Sequence, residues 1–80
     1  MVGKIIDDIQ GHYKDTVVCK SQMSGNCLIM EVTTRRTNYP FIAKRILDRN
    51  RDIRMVMFTG GWIEGAYTRE TLRSAGYKMK

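Results

Sequence analysis

Four kinds of side chain in this 80-residue chain could carry chemistry, and they are unevenly supplied. Glu31 is the single carboxylate in the apolar run GNCLIMEVTTRR and could bind a divalent cation. His12 is the sole histidine, so general acid–base or nucleophilic catalysis would have to pair it with a cysteine or carboxylate brought in by the fold. Cys19 and Cys27 stand in no Cys-x-x-Cys pair and near no second type of metal ligand, so buried thiols are expected rather than a metal site. The cations form the largest group. Residues 35 to 54 hold Arg35, Arg36, Lys44, Arg45, Arg49, Arg51 and Arg54 against Asp48 and Asp52, a net +5 of the chain's +6. Such a segment attracts nucleic acid, anionic lipid or an acidic protein surface.

The segment LIMEVTTRR resembles the strand of the PD-(D/E)xK nucleases, in which an acid on a central strand binds Mg²⁺ and a lysine two positions on orients or activates water. The resemblance covers about nine residues and would make Glu31 the metal ligand. Thr33 stands at the lysine's position, and Gly25 and Asn26 stand where the family places a second acid. Mg²⁺ keeps its waters unless oxygen ligands converge on it, so one carboxylate falls short. The bottom-up reading is a solvent-side Glu31 able to reach Lys20 diagonally across a hairpin. No nucleophile-elbow or phosphate-cradling glycine pattern is present, and His12 in GHYKD reads as a solvated loop residue. A non-enzyme without metal or cofactor is expected.

These residues need elements to position them. At 42% hydrophobic and 28% charged, the chain has a folding composition, and its size suits one domain over residues 1–80. No apolar run reaches the ~18 residues of a membrane span, and MVGKIIDDIQ has acids where a signal peptide needs an apolar stretch. A cytoplasmic protein without membrane contact is therefore expected. Val2, Ile5, Ile6 and Ile9 recur at helical spacing before Gly11. TVVCKS and CLIMEVTT read as a hairpin turning at Ser24-Gly25, with Val17, Cys19, Leu28, Met30 and Val32 on one face and Glu31 on the other. Asn38 and Pro40 suit a helix start, and Ile42, Ala43, Ile46 and Leu47 form its stripe. IRMVMFT reads as a covered strand, Gly60-Gly61 as a turn, WIEGAY as an edge strand, and Thr68 as the cap of a last helix through about Ala75. The order α-β-β-α-β-(β)-α gives an α+β fold: a small, mostly antiparallel sheet of three to four strands with helices on one face.

On that frame the basic segment predicts a nucleic-acid-binding module that engages RNA or DNA backbone through Arg35, Arg36, Lys44, Arg45, Arg49 and Arg51 as one patch. Tyr39 within it could stack on a base. The alternative is an adaptor or small inhibitor docking on a larger, nucleic-acid-handling complex, with Trp62 and Tyr67 as aromatic anchors. Homodimerisation through an exposed sheet edge is compatible with either.

Overall fold

The hairpin at the centre of the sequence turns one residue later than its composition suggests. In the computed structural model, which describes residues 2–60 and 65–80, β1 (Val17–Ser24) meets β2 (Cys27–Thr33) with Ser24 opposite Cys27, leaving Gly25-Asn26 as the loop. Gly25 has φ +62, the left-handed conformation that the first central position of a type II′ turn demands, and glycine meets it without steric cost. Placing the loop there pairs Gln22 with Ile29 and Lys20 with Glu31. The register then breaks between Val18 and Lys20, where Cys19 bulges out. The turn position shifts the register by two residues and keeps each side chain on its face, whereas the bulge reverses the expected sidedness at the start of β1. Val17 and Cys19 are exposed, while Val18 and Met23 pack toward the core.

β2 alternates as expected: Leu28, Met30 and Val32 are buried on one face. After it the chain crosses through α2 (Asn38–Arg49) into β3 (Met55–Thr59), which lies parallel to β2 with Cys27 opposite Met55. A parallel neighbour needs a crossover connection of this kind. β4 (Gly65–Thr68) returns antiparallel to β3, completing a four-stranded sheet in the order β1-β2-β3-β4. Two of its three pairings are antiparallel, so the fold is α+β with a mixed, mostly antiparallel sheet.

The helices share one face of that sheet. α1 (Val2–His12) buries Ile5 and Ile9 there, α2 buries Tyr39, Ile42, Ala43, Ile46 and Leu47, and α3 (Arg69–Ser74) buries Leu72. They close on Leu28, Met30, Val32, Val56 and Phe58 to make one apolar cluster. Thr68 caps α3: its Oγ1 accepts from the Thr71 backbone N–H, and the Thr71 hydroxyl accepts from the Thr68 N–H. The N-terminus of α2 is built differently from the sequence expectation. Thr37 takes the cap position without a side-chain bond, and the Asn38 amide instead donates to the Thr34 hydroxyl. Thr34 in turn shares a buried 2.7 Å hydrogen bond with Thr16, tying the start of β1 to the end of β2. No helix among the described residues is long and apolar enough to cross a membrane.

Candidate nucleic-acid interface

Helical phase decides the fate of the aromatic in the basic segment. Tyr39 stands at i, i+3, i+4 and i+7 with Ile42, Ala43 and Ile46, so it lies on the buried stripe of α2. It is fully buried, its hydroxyl donates to the Val32 carbonyl at 2.9 Å, and its ring meets Phe58 edge to face. Tyr39 therefore cannot stack on a base. Its type suits the core because ring and hydroxyl are both satisfied there.

The cations do not gather side by side. Arg35 and Arg36 follow the C-terminal end of β2. Arg54 flanks the opposite end, where its backbone N–H donates to the Asn26 carbonyl beside the hairpin turn. The seven residues of β2 separate these positions by about 23 Å at ~3.3 Å per residue. α2 runs back along the sheet, which carries Arg49 and Arg51 to the hairpin end with Arg54. Arg35 forms an exposed ion pair with Asp15 at 2.8 Å, and Arg36 is exposed.

Between the two ends, the helix cations are held by acids. Arg45 makes a two-pronged contact with Asp8 of α1, Nε and Nη2 each donating at 2.8 Å. That guanidinium holds the Asp8 carboxyl below the usual carboxylate range. Lys44 donates to Asp48 at 2.7 Å one helical turn away. Burial works against ionisation of Asp48, but the Lys44 hydrogen bond and the Lys80 backbone N–H outweigh it, and its carboxyl also lies low. A fourth cation, Arg69, holds backbone: Nη2 donates to the carbonyls of Leu47 and Asn50, and Nη1 to that of Ile53. It thereby satisfies acceptors at the end of α2 and in the loop that follows.

Among the described residues, no ion pair involves Arg36, Arg49, Arg51 or Arg54. Arg51 and Arg54 line a groove of about 440 Å³ at the hairpin end, with Asn26, Met55, Thr68, Arg69 and the one acid Glu70. Arg49 lies round the edge, where it lines a shallow depression between α1 and α2 with Lys4 and Asp8, whose carboxylate it helps to stabilise. Arg54 belongs to the basic segment but not to the patch expected from sequence, and Arg69 lies outside both. No local pattern signals Arg69, because its acceptors lie 16 to 22 residues away.

The remaining candidates are also placed. Glu31 lies on an interior strand on the face away from the helices, directly opposite Lys20 rather than diagonal to it. Gly60, with φ +73, leaves it room: a Cβ there would sit 2.6 Å from the Glu31 Cγ. Among the described residues, Lys20, Ser21, Gln22, Ile29 and Thr59 surround Glu31 without a second carboxylate. No three His, Cys, Asp or Glu side chains cluster among the described residues. That set does not fit the paired-oxygen requirement of Mg²⁺. His12 is exposed in the last turn of α1, edge to face with Tyr13. Cys19 and Cys27 are free thiols, neither of them buried. Tyr67 is half-buried on the helix side of the sheet against Phe58, and burial raises its hydroxyl pKa. Trp62 lies outside the described residues. A residue not singled out from sequence, Phe41, is 49% exposed and packs edge to face on Tyr77.

Comparison with known proteins yields no match among family models, curated proteins or solved structures.

Proposed function

We propose that this protein is a small non-enzymatic module that binds the backbone of RNA or DNA, docking through the hairpin end. The observation that carries the reading is the pairing of Arg51 and Arg54 round an open groove there, without ion-pair partners among the described residues. Guanidinium groups suit this work because they remain charged and present forked donors to phosphate oxygens. Arg35 and Arg36 form a second, separate contact region at the other end of the sheet. Lys44 and Arg45 contribute mainly long-range field, since each is oriented by an acid, Asp48 and Asp8, that offsets its charge.

Binding of this kind is mostly electrostatic, with little sequence readout, and weakens steeply with salt. The adaptor reading rests on Trp62 and Tyr67, and the inward placement of Tyr67 removes one of its anchors. The test is fluorescence anisotropy with labelled single- and double-stranded RNA and DNA at low and moderate salt. The expected result is salt-sensitive binding that Arg51→Ala/Arg54→Ala weakens. Absence of binding at low salt would overturn the reading.

A further inference from the structure

The face of the sheet turned away from the helices has an ordered composition. Because register partners share a face, it presents three rows. Ser24, Cys27, Met55 and Thr68 form the row nearest the hairpin end; Gln22, Ile29, Met57 and Ala66 form the next; Lys20, Glu31 and Thr59 form the third. The side chains at the middle of this face, Cys27, Ile29, Met55 and Met57, are half-exposed, whereas their strand neighbours Leu28, Met30, Val56 and Phe58 are fully buried under the helices. The basic groove runs into it without a break. Met55 and Thr68 line the groove with Arg51 and Arg54 and also belong to the first row.

We infer that the nucleic acid recognised is single-stranded, with phosphates held by Arg51 and Arg54 and bases lying across Met55, Met57 and Ile29 toward Lys20. This inference rests on the nucleic-acid reading above and specifies its substrate. A duplex hides its base faces in the stack and offers phosphate and sugar, which give the apolar middle of the sheet nothing to bury. An unstacked strand offers both anionic backbone and flat apolar bases, matching a cationic groove that continues into an apolar face. The dimensions agree. Rows two residues apart lie about 6.7 Å from one another, so the path from the first row to Lys20 is about 13 Å. Four-stranded sheets that take single-stranded RNA stack two or three bases on aromatic side chains, and here Met55, Met57 and Ile29 would supply the apolar surface in their place. Glu31 in the third row is set back against Gly60, which leaves Lys20 as the exposed charge of that row among the described residues.

Cys27 in the first row reports on this face without a core substitution. In a Cys19→Ser background it is the only thiol, and its alkylation rate is measured with a ten-nucleotide uridine or thymidine homopolymer, a duplex of equal length, or a poly-glutamate peptide, each at matched occupancy by anisotropy. Slowing of alkylation at least fivefold by the homopolymers alone is the expected result. An Ile29→Thr/Met57→Thr variant should then bind the homopolymers about tenfold more weakly while keeping the duplex affinity. Unchanged alkylation under a saturating single strand would overturn the inference and leave backbone docking intact. Equal protection by the duplex or by poly-glutamate would also overturn it. No binding of either nucleic acid at low salt would remove the underlying reading as well.

Discussion

The solvent-side cations of α2 and those at the hairpin end are similar in number and close in sequence, yet they do different work. Arg45 and Lys44 are locked to Asp8 and Asp48, and Arg69, arriving from α3, is locked to three carbonyls. Arg51 and Arg54 have no such partner among the described residues. A cation paired with a carboxylate is held in one orientation with its charge largely offset, so it attracts and reaches a phosphate less readily than an unpaired one. The basic count of a segment therefore overstates the surface it makes. The cations divide into those that hold the fold and those free to bind.

Substitutions can break or sharpen this division. The largest effect is expected for Arg69→Ala, which leaves the Leu47, Asn50 and Ile53 carbonyls without that donor; a loss of about 2–3 kcal/mol in urea denaturation is expected. A loss under ~0.5 kcal/mol would mean that water replaces the guanidinium readily. Next comes Arg51→Ala/Arg54→Ala, expected to weaken nucleic-acid binding about tenfold or more at moderate salt while leaving the urea midpoint unchanged, as removal of two phosphate contacts should. Arg45→Ala should cost about 1 kcal/mol of stability at neutral pH, since the pair is two-pronged but a quarter to a third exposed. Lys44→Ala, a single pair along one helix, should cost about 0.3–0.5 kcal/mol.

The Arg45 effect carries a pH signature. The folded-state pKa of Asp8 lies below its unfolded value, so the contribution of the pair is complete above the unfolded pKa of about 4 and disappears as pH falls through the lower folded value. The stability difference between wild type and Arg45→Ala should shrink over that acid window and stay constant from pH 6 to 8. A difference that grew on acidification would contradict the assigned pairing.

Where local pattern and tertiary packing agree, the sequence was a good guide. The alternation of Leu28, Met30 and Val32, the stripe Ile42, Ala43, Ile46 and Leu47, and the Thr68 cap all describe interactions within one element or its immediate flank. The facing of Val17 and Cys19 differs from the alternation because the bulge at Cys19 inserts one residue and reverses the phase of the strand before it, which no local pattern signals. Tyr39 was assigned to the basic surface by its neighbours in sequence although its helical spacing to Ile42, Ala43 and Ile46 already placed it inside. The split of the basic patch was not legible at all. It depends on the parallel crossover that sends α2 back along the sheet, and on acids as remote as Asp8 from Arg45.

The measurement that tests the central claim most directly is the salt dependence of single-strand binding, plotted as log affinity against log salt, for wild type, Arg51→Ala/Arg54→Ala and Lys44→Ala/Arg45→Ala. The division of cations predicts that the slope falls by about 1.4, at ~0.7 per phosphate contact, in the hairpin-end variant and stays close to wild type in the helix variant. Equal reductions in both variants, or a reduction confined to Lys44→Ala/Arg45→Ala, would show that the paired helix cations contact phosphate and would contradict it.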